Sequence, residues 1–108
     1  MFKVGTKVDD VSVYISKNGY GEIQYVGIIN NIIRRAKEHL ITKGIQIRSI
    51  MTGLSRIDAR LLEQYIIEVN GLGKNGGTLL NKINSISPKK INYSQLMQKG
   101  NELFELIN

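Results

Sequence analysis

Two phenols, a guanidinium and an imidazole recur at close spacing in the first part of this chain. Tyr14 and Tyr25 lie eleven residues apart, and Arg35 and His39 follow Tyr25 by ten and fourteen. Arg35 never loses its charge and presents a rigid fork of donors, which suits an oxyanion on which negative charge is building. His39, the only histidine, has an ordinary pKa of about 6.5 and can give or take a proton near neutral pH. Together these groups are equipment for proton transfer beside a bound anion. Fifteen Lys and Arg against nine Asp and Glu leave a formal charge of +6, with a sequence pI near 9.7. That balance suits a polyanion, nucleic acid first, and equally a basic surface kept for solubility. Five Tyr, two Phe and no Trp favour phosphate contact over base stacking, for which Tyr20 and Tyr93 are the candidates. The absence of cysteine removes disulfides, thiolate nucleophiles and cysteine zinc sites together.

Positioning these groups requires a hairpin followed by a helix. Val11, Val13 and Ile15 alternate with Ser12, Tyr14 and Ser16, then Lys17-Asn18-Gly19-Tyr20-Gly21 supplies turn residues before a second β-rich run, Ile23 to Ile29. Asn30 or Asn31 stands where an N-cap would stand, ahead of Ile32, Ile33, Ala36 and Leu40 at helical spacing. Arg35 and His39, four apart, fall on one flank of that helix, which Gly44 closes as a left-handed cap. Alternation from Ile45 to Ile50 predicts a third strand that Gly53 ends.

Ser55-Arg56-Ile57-Asp58 reads as a capping box for a helix from about Arg56 to Asn70, with Ala59, Leu62, Ile66 and Val69 as its apolar stripe and Gly71 as its stop. Glu63 lies at the border of that stripe, where a carboxylate is partly desolvated and needs a cation or a donor. Leu72 to Thr78, with three glycines, reads as a flexible loop; it lacks the Lys-Ser/Thr ending of a phosphate-binding P-loop. Leu79 to Ile86 is expected to re-enter the core, and Ser94 to cap a last helix carrying Leu96, Met97, Leu103, Phe104 and Ile107. Gly100 weakens its middle by about 1 kcal/mol relative to Ala. The expected fold is α+β: one domain over residues 1–108, with a small, mainly antiparallel three-stranded sheet flanked by helices. Its motif core runs from about 11 to 84 and its C-terminal helical segment from about 93 to 107. No run of eighteen apolar residues exists and no basic-then-apolar leader follows Met1, so neither a membrane span nor a cleavable export peptide is expected.

The residues Ser12-Val13-Tyr14 and Tyr25-Val26-Gly27, with Arg35 and His39 after them, resemble the two motifs of the GIY-YIG nucleases. Ser12 and Val13 depart from the usual Gly and Ile. The resemblance implies phosphodiester hydrolysis, in which Tyr14 and Tyr25 are the phenols that activate water and His39 belongs to proton transfer. It implies that Arg35 stabilises the phosphate and that Glu63 binds a single divalent cation, Mg²⁺ or another such as Mn²⁺. An asparagine after the glutamate helix is matched by Asn81, with Asn84 as its competitor. Whether Tyr25 is itself the base or is relayed through His39 stays open. Taken singly, the tyrosines would suit cross-strand packing, Asn81 a turn, and Glu63 a pairing with Arg60 worth roughly 0.2–0.5 kcal/mol. The joint occurrence in family order favours the nuclease.

A second resemblance joins Asp58-Ala59-Arg60, Leu62-Glu63-Gln64 and the run Gly76 to Pro88 to the nuclease modules at the C-termini of bacterial contact-dependent and polymorphic toxins. It implies delivery from a producing cell, action on DNA or RNA, tRNA included, in the target-cell cytoplasm, and an immunity protein, acidic where it covers the basic cleft. The alternatives are a stand-alone repair, restriction or homing endonuclease and a catalytically silent nucleic-acid-binding module. Binding alone needs no metal carboxylate beside the phosphate, which weighs against the silent module.

Overall fold

Alternation of β-branched residues with a turn between them produces the first hairpin. The computed structural model describes residues 10–30 and 47–107. Strand β1 (Val11–Lys17) pairs antiparallel with β2 (Ile23–Asn30), placing Tyr14 opposite Gly27 and Ser16 opposite Tyr25. Asn18 builds the turn: its side-chain oxygen accepts from the amides of Tyr20 (2.9 Å) and Glu22 (3.0 Å), while Gly21 takes the left-handed φ of 81°. Strand β3 (Arg48–Leu54) lies antiparallel on the other side of β1, giving the order β2-β1-β3. Gly53 does not end β3. It lies within it at φ 71°, where the pairing with β1 is irregular.

Helix α1 (Arg56–Asn70) starts where the Ser55 hydroxyl accepts from the Asp58 amide at 3.1 Å and stops where Gly71 turns to φ 79°. Its buried residues Ala59, Leu62, Ile66 and Ile67 meet Val11, Val13 and Ile15 of β1 and Val26 of β2 in one hydrophobic cluster. Val69 is not part of the stripe; it is exposed, and Leu61 and Ile67 fill the buried arc instead. Helix α2 (Tyr93–Glu105) packs on α1. Its cap lies two residues ahead of the expected Ser94, at Asn92, whose side chain makes no capping bond. A Cβ at the buried Gly100 would lie 2.6 Å from the Leu61 carbonyl oxygen, so this glycine, weak in propensity, is what lets the two helices close. Tyr65 and Phe104 meet in a tilted ring contact, centres 5.5 Å apart and planes at 50°.

The glycine-rich stretch after α1 is a folded turn. Gly73–Asn75 forms a 3₁₀ turn, Gly73 donates to the Leu79 carbonyl at 2.7 Å, and Leu79 donates back to Gly71 at 3.1 Å. A Cβ on Gly77 would run into Gly71 and one on Gly73 into the Leu79 carbonyl, while Gly76 takes the left-handed φ of 92°, so close backbone approach and turn geometry account for the glycines there. Only part of Leu79 to Ile86 enters the core: Leu79 is buried and Ile86 packs against its margin, whereas Leu80 and Ile83 face outward. The expected helix after Asn30, with Arg35, His39 and Gly44, lies outside the described residues. The described part is thus an α+β arrangement with a three-stranded antiparallel sheet and two helices. Among the described residues no helix is long and apolar enough to cross a membrane.

Candidate active site

The segment leaving the glycine turn runs along the free edge of β2. Thr78 donates its hydroxyl to the Ile23 carbonyl at 2.9 Å, and the Leu80 amide donates to Gln24 at 2.6 Å. The Asn81 side chain then behaves as a further peptide unit: its oxygen accepts from the Val26 amide at 3.0 Å and its nitrogen donates to the Val26 carbonyl at 2.8 Å. Asn81 therefore fixes the backbone next to Tyr25, and the strand edge that would otherwise remain open is closed.

Between this segment, β2 and α1 opens a cleft of about 530 Å³, lined by Tyr25, Arg60, Glu63, Asn81, Lys82 and Asn84 among others. Tyr25, Glu63 and Asn81, read as site residues from widely separated parts of the sequence, are brought to one surface. Asn84 lines it too, so the two asparagines separate by what they hold: Asn81 the β2 backbone, Asn84 the side chain of Gln64 at 2.9 Å. Tyr14 is buried and reaches the cleft through Tyr25. Their rings stand 6.0 Å apart, tilted by 33°, with a hydrogen bond between the side chains. Burial pushes the Tyr14 phenol above its ordinary value of 10.0; the Tyr25 hydrogen bond works against that rise and the charge of Glu63 adds to it. Tyr14 is accordingly a protonated phenol near neutral pH. Gly27 is needed for this packing, since a Cβ there would sit 2.5 Å from Cζ of the Tyr14 ring.

Glu63 is half-buried. Burial raises its pKa above the ordinary 4.5, opposed by a hydrogen bond from Ser85 and then by the positive charge of Arg60. The expected pairing with Arg60 is the weakest of these influences, for the Arg60 guanidinium donates through Nη2 to the Ser85 carbonyl. Among the described residues no group of three or more carboxylate or imidazole side chains gathers, so a cation here would rest on Glu63. Mg²⁺ suits that, since it commonly uses one or two carboxylates and keeps several waters.

Gln64, given no role of its own in the sequence, organises this wall. It is wholly buried and uses both ends of its amide: Oε1 accepts from the amides of Ser85 (2.7 Å) and Ile86 (3.0 Å), and Nε2 donates to Asn84 and to the Tyr93 hydroxyl at 3.0 Å. Tyr93 in turn donates to Glu68 at 2.6 Å. The available signal was its position between Leu61 and Ile67, apolar residues three before and three after it, which places a polar amide on the buried arc. No family model, characterised protein or solved structure matches the chain.

Proposed function

We propose that the chain is a GIY-YIG-type endonuclease that hydrolyses phosphodiester bonds of nucleic acid with a divalent cation. The observation that carries the reading is the convergence of Tyr25, Glu63 and Asn81 on one cleft, with Tyr14 hydrogen-bonded to Tyr25 and within the field of Glu63. Tyr25, the phenol that lines the cleft, handles the proton of the attacking water. Tyr14 keeps its own proton and orients Tyr25. Asn81 holds the strand carrying Tyr25, and Ser85 holds Glu63. Glu63 would hold Mg²⁺ or Mn²⁺, which when bound supplies positive charge where the phosphate gains negative charge. Arg35 and His39 enter as sequence assignments: a permanent cation for the phosphate and a group for proton transfer.

The biological setting proposed with it is the toxin module of a bacterial contact-dependent or polymorphic toxin, acting in the cytoplasm of a target cell and held in check by an immunity protein. The sequence run Gly76 to Pro88 supports this, as does the cleft rim that run supplies. Leu80 and Ile83 are exposed there beside Lys82, an apolar and basic surface suited to an acidic protein. The test is incubation of the purified chain with plasmid DNA and with total tRNA, in magnesium and in excess chelator. Cleavage in magnesium alone is expected; undiminished cleavage in chelator would remove the cation, and no cleavage of either substrate would remove the nuclease.

A further inference from the structure

A second cleft, of about 420 Å³, opens beside the first between α1, the 85–90 connection and α2. Ile57, Leu61, Ile86 and Leu96 give it apolar walls, Ser85 and Ser87 line it as well, and Lys90 contributes a cation. Arg60 and Ser85 line both clefts, so the two adjoin at these residues. Arg60 is anchored there by its bond to the Ser85 carbonyl, and a guanidinium has five N–H donors, leaving capacity for a phosphate. Ile57 is 73% exposed although it borders this apolar surface.

We propose that the second cleft is a subsite for one unpaired nucleotide flanking the phosphate held in the first cleft, with the base against Ile57, Ile86 and Leu96 and its phosphate on Arg60 and Lys90. This rests on the nuclease reading. An apolar surface edged by two cations complements a nucleotide, whose base has an apolar face and whose backbone is anionic. A base inside a duplex is stacked on both faces and must be extruded before it can reach such a surface. Single-stranded segments, loops and frayed ends present their bases unstacked. The substrate class the two clefts select together is therefore unpaired nucleic acid.

The test compares equilibrium binding of a fluorescent single-stranded oligonucleotide and of the matching duplex, in chelator, by the wild-type chain and by Ile57→Ser, Lys90→Gln and the double variant. Ile57 and Lys90 are exposed, so these changes leave the fold in place, which far-ultraviolet circular dichroism checks. Wild type is expected to prefer the single strand at least ten-fold, each single variant to lose several-fold of that affinity, and the double variant to lose the preference. Equal binding of duplex and single strand by wild type, or a preference that survives the double substitution, overturns the subsite; the second result would leave the cleft to a protein partner. Nucleic-acid cleavage by the same wild-type preparation tells the two failures apart: with cleavage present only the subsite falls, and with none the nuclease reading falls as well.

Discussion

Glu63 and Gly27 are the residues whose surroundings make the sharpest demands. Burial raises the Glu63 pKa in the folded chain above its ordinary 4.5, so the folded state holds this proton more tightly than the unfolded state does. Its contribution to stability is complete below the unfolded value and is lost as pH rises through the raised folded value. Glu63→Gln should therefore be at least as stable as wild type at neutral pH and should lose that part of the pH slope, read from urea midpoints between pH 4 and 7. A steeper slope in the variant would contradict the assignment. Cation binding needs the carboxylate ionised, so cleavage should fall on the acid side as Glu63 protonates, and more Mg²⁺ should move that limb to lower pH. A limb indifferent to Mg²⁺ would place the titration elsewhere. Gly27→Ala would push a methyl group into the Tyr14 ring; a loss of about 1–3 kcal/mol is expected from such overpacking. Chemical denaturation checks it, and an unchanged midpoint would mean that the ring can move aside.

At the scale of elements, Gln64 ties α1 to the 84–86 segment and to α2. Gln64→Ala leaves the amides of Ser85 and Ile86 without their acceptor, at about 1–3 kcal/mol for each group that water does not reach. Hydrogen exchange should show those two amides losing protection ahead of the amides of α1, together with weaker cation binding as Ser85 drifts from Glu63. Unchanged protection would show that the segment is held by other contacts. The elements themselves were legible where a local device defines both ends: Ser55 and Gly71 bracket α1, and Asn18 with Gly21 makes the hairpin turn. Legibility failed where tertiary approach overrides local preference. Gly77 and Gly100 look like flexibility or weakness in the sequence and are instead points of close contact. Val69 keeps the period yet faces solvent, because α1 turns its Leu61 and Ile67 arc to its neighbours. Of the candidate site, the roles of Tyr14, Tyr25, Glu63 and Asn81 came from the family resemblance, and only the tyrosine spacing and the border position of Glu63 were readable from residue types and period. Gln64 and the bonding of Asn81 to the Val26 backbone were not, since both depend on segments distant in sequence meeting in space.

For the whole molecule, the nuclease reading together with a formal charge of +6 predicts nucleic-acid binding that weakens steeply with salt, and the toxin reading implies harm to a cell that makes the chain without its immunity protein. Induced expression of wild type should arrest growth, while Tyr25→Phe, which keeps the ring and the charge, should be tolerated; growth curves with matched protein levels decide it. Harmless expression of an enzyme active in the test tube would count against the toxin role alone. The most direct test of the central claim, that the Tyr25–Glu63–Asn81 cleft hydrolyses phosphodiester bonds, is single-turnover cleavage of labelled nucleic acid at saturating enzyme by wild type, Tyr25→Phe and Glu63→Gln in magnesium. The account predicts wild-type cleavage and a fall on the order of 10²–10⁴-fold in the Tyr25 variant, as for loss of general acid–base catalysis, with no detectable turnover in the Glu63 variant. Wild-type rates in both stably folded variants would contradict it.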